Sequence, residues 1–168
     1  VLLRSGEIEM AREVFADILG TTERPMETRR RAADLYTQNG IPELAARERK
    51  NIAQQFLEAG DRQRALEEVN RALELSSSDT GAMELRLALL HTLDMREEAQ
   101  ECAQELIRHF RERGDYPRAI STAKEYTESQ PHSVEAHEQL ADLLTHAGRH
   151  DEAAEELRGV VHGDLALL

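Results

Sequence analysis

Histidines near the C-terminal end of the sequence come closest to a metal-binding pattern. His146 and His150 are four residues apart, which on a continuous helix would place two imidazoles on one face, as a zinc site requires. Gly148 lies between them and interrupts the helix. We therefore expect no metal site here, and we interpret these two residues, together with His132 and His137, as surface side chains.

Acidic and nucleophilic side chains also lack a catalytic arrangement. Glu97 and Glu98 are adjacent, as are Glu155 and Glu156, so the members of each pair point to different sides of a helix and cannot share acid–base work. Cys102 is the single cysteine, which excludes an intramolecular disulfide, and we expect it to be a small core residue. The sequence contains no glycine-rich phosphate loop and no recognisable nucleophile motif. It predicts no enzyme and no cofactor.

A repeated pattern organises the chain. Six positions, spaced 34, 20, 34, 20 and 34 residues apart, carry Gly or Asp, and each is followed five residues later by Ala. We call these positions the markers; they are Gly6, Gly40, Gly60, Asp94, Gly114 and Gly148. A large apolar or aromatic residue lies four positions before each marker, at Leu2, Tyr36, Phe56, Leu90, Phe110 and Leu144. The combination is typical of a helix that ends at the marker, followed by a helix whose Ala permits close packing.

The spacing predicts nine helices joined by short turns, and no strands. The predicted helices span 7–19, 26–39, 42–59, 62–75, 80–93, 95–113, 116–129, 133–147 and 150–161. Pro25, Pro42 and Pro117 lie at or just before predicted helix starts, and Pro131 follows the seventh helix. The two alternating intervals, 34 and 20, add up to a period of 54 residues with three helices. Because three is odd, we expect successive periods to run in opposite directions along the stack.

The composition of the chain argues against nucleic acids and membranes as partners. The formal net charge is −12, and the densest basic cluster, Arg29 to Arg31, has Glu23 and Glu27 close by, so we expect no nucleic-acid partner. Aromatic residues make up 4% of the chain, which gives base stacking little support. No apolar run reaches the length of a membrane span, and no signal peptide is visible. We expect a cytoplasmic protein without membrane insertion.

The segment 134–157 resembles a tetratricopeptide repeat. It has the family's order of an apolar–small pair, a bulky residue, Gly, Ala and a second bulky residue, at Leu140, Ala141, Leu144, Gly148, Ala153 and Leu157. The second half of such a repeat is matched by Gly114, Tyr116, Ala119 and Pro131. Other units depart from the pattern: Asp94 replaces Gly, and Arg49 and Arg86 stand where an apolar residue is expected. The resemblance implies an all-α, right-handed α–α superhelix, a solenoid forming a single domain over residues 1–168 that we expect to belong to a longer array.

In this family the first helix of each repeat lines a concave groove. The resemblance places there Glu27, Arg30, Asp34, Thr37 and Gln38 of the second predicted helix, Glu84, Ala88, His91 and Thr92 of the fifth, and Glu135, Glu138, Asp142, Thr145 and His146 of the eighth. A clamp for chaperone C-terminal carboxylates is not expected, because it needs Lys and Asn at such positions. The third set is acidic, so a basic or amphipathic helical segment of a partner protein would complement it. An ordinary solvated helix face is the alternative interpretation.

Three roles are compatible with these features. A scaffold or adaptor that binds a peptide or helix of another protein is the one we favour. A self-associating element, which forms a homo-oligomer by stacking its first helix on another copy, is the second. For that helix we expect an exposed apolar strip of Ile8, Ala11, Val14, Phe15 and Ile18. A regulatory section of a larger signalling or transcription protein is the third.

Overall fold

Helices make up the described part of the chain. The structure, a computed structural model, describes residues 5–165, with side chains over 7–158. Its helices are α1 (Ser5–Thr21), α2 (Pro25–Gln38), α3 (Pro42–Glu58), α4 (Arg62–Leu75), α5 (Thr80–Thr92), α6 (Arg96–Glu112), α7 (Tyr116–Ser129), α8 (Val134–His146) and α9 (His150–Leu165). No strand occurs within 5–165. The all-α prediction is confirmed, and every predicted helix end lies within two residues of the observed one except the last, which falls at Leu165 and not at 161.

Each internal marker ends a helix with a residue in the left-handed region. Gly40, Gly60, Gly114 and Gly148 have φ of +72° to +80°, and Asp94 has φ of +55°. The amide that follows the marker donates to the carbonyl oxygen of the bulky residue four positions before it, over 2.8–3.0 Å. These bonds run from Ile41 to Tyr36, from Asp61 to Phe56, from Met95 to Leu90, from Asp115 to Phe110 and from Arg149 to Leu144. The predicted stops are confirmed at these five markers.

The first marker differs from the other five. Gly6 lies in the first turn of α1, which begins at Ser5, and no described helix precedes it. The prediction that Gly6 ends a helix is therefore wrong, because the described chain has no helical carbonyl group there for it to cap. Leu2, the bulky residue assigned to this marker, lies outside the described residues.

The helices belong to two compact units, Val1–Met95 and Arg96–Leu168. In the first unit, α2 packs on α3, α3 packs on α4 and α4 packs on α5, and α1 packs least extensively, on α2. In the second unit, α6, α7, α8 and α9 also pack in chain order. Helices that are joined by such short turns and pack on each other run antiparallel. A single domain over residues 1–168 stays a prediction.

Small and bulky side chains at fixed distances from the markers form the core. The alanines five residues after the internal markers are all buried: Ala45, Ala65, Ala99, Ala119 and Ala153. The bulky residues four positions before these markers are buried as well: Tyr36, Phe56, Leu90, Phe110 and Leu144. Cys102 is a buried free thiol, as expected for a small core residue. Each buried large side chain contributes about 1.5–3 kcal/mol through loss of apolar surface from water.

A polar contact recurs at one place in the hairpins. The residue eleven positions before a marker meets the residue eight positions after it, and we call these two residues the crossing pair. The crossing pairs are Arg29 with Glu48 at 2.8 Å, Arg49 with Glu68 at 3.1 Å, and His137 with Glu156 at 2.7 Å. In these three hairpins, therefore, the residue eight positions after the marker faces the preceding helix.

The start of α5 is tied to α3 through one carboxylate. Asp79 Oδ1 accepts a hydrogen bond from the amide of Ala82 over 3.1 Å and caps the helix, while Oδ2 lies 2.7 Å from Lys50 Nζ. Burial raises the pKa of Asp79, but the hydrogen bond and charge of Lys50 and the amides of Ala82 and Gly81 lower it by more. The pKa of Asp79 therefore lies below its usual value, and the folded protein favours the carboxylate form.

Replacing Gly60 with Ala should lower the free energy of unfolding by about 1–2 kcal/mol. A Cβ at Gly60 would have no heavy atom within 4 Å, so the cost comes from the φ of +80° alone. Gly20 is the matched control, because its Cβ would also meet nothing within 4 Å and its φ is not positive. Gly20→Ala should raise stability by about 0.5 kcal/mol. Urea unfolding followed by circular dichroism measures both changes in the free energy of unfolding. If both variants lost the same stability, the cost of Gly60→Ala could not be assigned to the positive φ of Gly60.

Asp79→Asn keeps an oxygen for the helix cap but removes the charge that faces Lys50. At pH 7 it should lower the free energy of unfolding by about 0.5–1 kcal/mol. Because the folded-state pKa of Asp79 is lowered, this stabilisation is complete above the unfolded-state pKa of about 3.9 and is lost as the pH falls through the folded-state pKa. Urea unfolding at pH 7 and pH 3 should therefore show a smaller difference between wild type and variant at pH 3.

Lys50→Met is the control for this pH dependence. It leaves the cap of Asp79 on Ala82 intact and removes the same ion pair. Its destabilisation should shrink toward acid pH in the same way. A destabilisation that grows as the pH falls, in either variant, would contradict the sign of the pKa shift.

Candidate functional site

Arg49 joins three helices of the first unit. It lies on α3, where its Nη2 donates to Asp34 Oδ1 of α2 over 2.7 Å and its Nη1 donates to Glu68 Oε2 of α4 over 3.1 Å. Helices α2 and α4 therefore flank the same side of α3. Arg49 stands where the family resemblance expects an apolar residue, and these two carboxylates give the physical reason for the departure.

The carboxylate of Glu68 is buried, with 3% of its side chain exposed. Its Oε1 accepts a hydrogen bond from Arg71 Nη1 over 2.8 Å, while its Oε2 accepts from Arg49. A buried carboxylate loses its hydration, and only charge partners with good hydrogen-bond geometry offset that loss. Hydrogen bonds thus connect four charged side chains of α2, α3 and α4 in one network, which we call the polar floor: Asp34, Arg49, Glu68 and Arg71.

An aromatic ring with two guanidinium groups beside it lies at one end of this floor. The Cζ atom of Arg30 on α2 is 5.7 Å from the centroid of the Phe56 ring on α3, and Cζ of Arg64 on α4 is 5.8 Å from it. Both distances are in the range of cation–π attraction. Because Phe56 is buried, the exposed parts of Arg30 and Arg64 form the surface above the ring.

The depression between α2 and α4, over α3, is the α2–α4 groove. It consists of two adjoining cavities of about 380 and 390 Å³ that share Asp34, Arg49 and Arg71. The first cavity is also lined by Arg30, Phe56, Arg64, Glu67 and Glu68, and the second by Thr37, Gln38, Glu74 and Leu75. The first cavity contains four arginines and three carboxylates. The formal charge of its lining is thus +1, and Glu74 of the second cavity brings the lining of the whole groove to zero, in a chain whose formal net charge is −12.

Arg30 differs from the other arginines of the groove in its pairing. Arg49 and Arg71 both donate to Glu68, and Arg64 lies 3.4 Å from Asp61. No carboxylate of the described residues pairs with Arg30, whose side chain is exposed beside the Phe56 ring. A guanidinium group has five N–H donors. Arg30 therefore keeps hydrogen-bonding capacity for a group from another molecule.

Three of the nine predicted partner-binding residues lie together in this groove: Arg30, Asp34 and Gln38. Glu84 and His91 lie on α5 and do not line it. The groove also contains Arg49, Arg64, Glu68 and Arg71, which sequence reasoning did not select. Arg49 was the one detectable signal among them, since it occupies a repeat position where an apolar residue is expected.

The other four predicted residues lie on α8 in the second unit. Asp142 Oδ2 is 3.8 Å from Arg111 Nη1 on α6, and Nδ1 of His146 is 2.9 Å from the backbone oxygen of Asp142. Glu135 and Glu138 are exposed and form no ion pair with another described residue. Positions three and four residues apart share a helix face. The α8 face therefore presents three carboxylates, of which Asp142 is partly neutralised.

A second groove, which the sequence did not predict, lies between α1 and α3. It has a volume of about 500 Å³ and is lined by Glu9, Arg12, Glu13, Phe15, Ala16, Leu19, Arg29, Tyr36, Leu44, Arg47, Glu48 and Asn51. The rings of Phe15 and Tyr36 meet edge to face with centroids 5.8 Å apart. Burial raises the pKa of Tyr36, and the charge of Glu48 raises it further. The phenol is therefore protonated at neutral pH.

The described residues contain neither a metal-site arrangement nor a membrane-spanning helix. Among the described side chains, those of residues 7–158, no three His, Cys, Asp or Glu residues are arranged to hold a metal ion. None of the helices within residues 5–165 is both long enough and apolar enough to cross a bilayer.

Glu68→Gln should lower the free energy of unfolding by about 3 kcal/mol, because it leaves the largely buried guanidinium of Arg49 without one of its two charge partners. Glu67→Gln is the matched control, since Glu67 is the exposed neighbour in the same groove. That change should alter stability by less than about 0.5 kcal/mol. Urea unfolding at pH 7 measures both variants. A Glu68→Gln protein as stable as the Glu67→Gln protein would show that the buried carboxylate does not hold the three helices together.

No curated protein matches the sequence. Among solved structures, the chain is similar to MamA, with 12% identity over 99% of this chain and 98% of the other and a TM-score of 0.42. It is similar to MamA 41-end from Desulfovibrio magneticus RS-1, with 16% identity over 84% and 96% and a TM-score of 0.35. It is also similar to YrrB, described as a TPR protein with an unusual peptide-binding site, with 12% identity over 88% and 91% and a TM-score of 0.38.

The family comparison identifies the helical repeats. Residues 105–164 match the tetratricopeptide repeat family, and this range contains all of α7 and α8 and most of α9. Within it, Gly114 and Gly148 end helices in the left-handed conformation, and each is followed by a buried Ala at the fifth position. Residues 105–164 therefore match the tetratricopeptide repeat family both in sequence and in the way their helices end.

Proposed function

We propose that this chain is a protein-interaction module that binds an acidic segment of a partner protein in the α2–α4 groove. The unpaired, exposed guanidinium of Arg30 carries the proposal. Arginine donates two parallel hydrogen bonds to a carboxylate, and such charge-assisted pairs are stronger than neutral ones. Arg64 and Arg71 are exposed in the same cavity and add positive charge beside Arg30.

The length of the groove suits a short extended segment. From Arg30 to Gln38, α2 advances eight residues, which corresponds to about 12 Å along the helix axis. An extended chain covers that distance in about four residues. A carboxylate at one end of the segment would meet Arg30, and Thr37 and Gln38 at the other end offer hydroxyl and amide groups to its backbone.

Protein binding is the activity we assign to the chain, and catalysis is not. Members of the tetratricopeptide repeat family act as scaffolds that contact other proteins, and residues 105–164 match this family. Charge complementarity at an exposed cationic cavity would also speed encounter with an acidic partner and disfavour basic ones. The cavity has this character although the chain as a whole is acidic.

The α8 face is a second candidate, for a partner of the opposite charge. Glu135, Glu138 and Asp142 are exposed along one side of this helix, and only Asp142 has an arginine nearby. A basic or amphipathic helical segment would complement them. The groove is expected to bind an acidic partner and the α8 face a basic one. Reversing the charge of each surface in turn therefore shows which of the two binds the partner.

Arg30→Glu should weaken partner binding at least tenfold, because it replaces the free guanidinium with a like charge for the acidic segment. Affinity capture at moderate salt with the wild-type chain supplies the partner, and titration of that purified partner measures the affinity. Arg31→Glu is the matched control: it makes the same charge change on α2, but Arg31 pairs with Glu27 and does not line the groove. Its affinity should equal that of wild type, and thermal melts of both variants confirm that they are folded.

Glu138→Lys/Asp142→Lys tests the second candidate in the same titration. If the partner binds the Arg30→Glu chain normally and is lost from the α8 double variant, the site belongs on the α8 face and the groove assignment is wrong. A chain that captures no stoichiometric partner would contradict the adaptor role on both surfaces.

A further inference from the structure

Two guanidinium groups lie beside one aromatic ring at one end of the α2–α4 groove. Arg30 extends from α2 and Arg64 from α4, and their Cζ atoms are 5.7 and 5.8 Å from the centroid of the Phe56 ring. The two Cζ atoms are therefore no farther apart than the sum of these distances. Phe56 is buried on α3, whereas both arginines are exposed. The two walls of the groove thus each place a positive charge beside the same ring.

Neither of these guanidinium groups has a strong ion pair within the described residues. No carboxylate described in the structure pairs with Arg30. Arg64 contacts Asp61 through Nε alone, at 3.4 Å, and 65% of its side chain is exposed. An exposed ion pair of this kind contributes little stability. Because like charges repel, an anion located between Arg30 and Arg64 would be attracted by both.

The number of acceptor oxygens distinguishes the anions that could bind between two guanidinium groups. A carboxylate has two oxygens, and a single guanidinium group engages both of them when it donates two parallel hydrogen bonds. The second guanidinium group would then have no partner. A phosphorylated side chain has three terminal oxygens and a charge of about −1.5 to −2 at neutral pH. It can therefore accept hydrogen bonds from both guanidinium groups at once, as in other arginine clusters that recognise phosphate.

The carboxylates of the same cavity leave room for such an anion. Asp34 and Glu68 already accept hydrogen bonds from arginines of the polar floor. Glu67 is the third carboxylate of the cavity lining. It is exposed on α4, three residues after Arg64, and pairs with no described residue. Its charge opposes the binding of an anion, so removing that charge should strengthen binding.

We propose that the acidic group recognised in the α2–α4 groove is the phosphate of a phosphorylated side chain in the partner protein, bound between Arg30 and Arg64. This inference rests on the proposed function, since it specifies the chemistry of the segment that binds in the groove. It adds regulation, because removal of the phosphate from the partner releases it. The phosphates of a nucleic acid are a poor fit to a chain with a formal net charge of −12.

Two small anions test the site without a partner protein. Phenyl phosphate and benzoate carry the same ring and differ in the anionic group. In NMR titrations at millimolar concentration, phenyl phosphate should shift the Nε–H signals of both Arg30 and Arg64, and benzoate that of Arg30 alone. Arg64→Gln should bind phenyl phosphate at least fivefold more weakly. Arg62→Gln is the matched control and should bind it like wild type, because Arg62 is exposed on the same helix and does not line the groove.

The partner obtained by affinity capture tests the regulation. Capture is carried out with phosphatase inhibitors, and half of the purified partner is then treated with phosphatase. Dephosphorylation should weaken binding to the wild-type chain at least tenfold. Arg64→Gln should lose at least fivefold in affinity for the phosphorylated form and bind the dephosphorylated form like wild type. Glu67→Gln should bind the phosphorylated form about twofold more tightly, because it removes a like charge.

The possible failures of this proposal and of the proposed function can be told apart. If dephosphorylation leaves the affinity unchanged while Arg30→Glu abolishes binding, the groove recognises a carboxylate and the phosphate assignment alone is wrong. Equal losses for both forms of the partner in Arg64→Gln, or no shift of Arg64 with phenyl phosphate, would also overturn the assignment. A partner that binds Arg30→Glu like wild type does not use the groove, and both proposals then fail. Thermal melts establish that each variant is folded.

Discussion

A single hydrogen bond, repeated at five turns, sets the register on which the rest of this structure depends. The amide after each internal marker donates to the carbonyl oxygen of a bulky residue, and the marker itself has a positive φ. The chain therefore leaves one helix and enters the next in the same way each time. Because the exit is constant, a buried Ala follows at the fifth position in every case, and the crossing pair joins residues with the same separation.

The unequal spacing of the markers gives this register a further consequence. Gly40 and Gly60 are only 20 residues apart, so α3 is the second helix of one hairpin and the first helix of the next. Arg49 is thus eleven residues before one marker and nine after the other, which is why one guanidinium reaches carboxylates on both α2 and α4. Ala103 occupies the equivalent position on α6 and is buried without a charge. The same position in the register therefore carries a paired charge in one unit and a buried uncharged residue in the other.

Local signals account for what could be predicted from the sequence. Helix ends depend on Gly, Asp and Pro at turns, which act within a few residues, and eight of the nine helices were predicted within two residues at both ends. Gly6 fits the marker pattern in the sequence but lies within the first turn of α1, so the pattern alone did not identify a helix end there. Arg30, Asp34 and Gln38 could be grouped because they share one face of α2. Glu68 could not be found, since its burial depends on two arginines from different places in the chain.

The α2–α4 groove also shows how structural charges can be distinguished from charges available for binding. Glu68 is almost fully desolvated and Arg49 is largely buried, and their hydrogen-bonding groups point at each other and at neighbouring side chains. Such groups stabilise the contact of three helices, and a ligand that competed for them would weaken the fold. Arg30 lies over the Phe56 ring and pairs with no carboxylate of the described residues, so a carboxylate that binds it removes no ion pair seen there. Substitutions at Arg30 and its exposed neighbours can then change which partner binds at this surface, while the ion pairs of the polar floor beneath them remain intact.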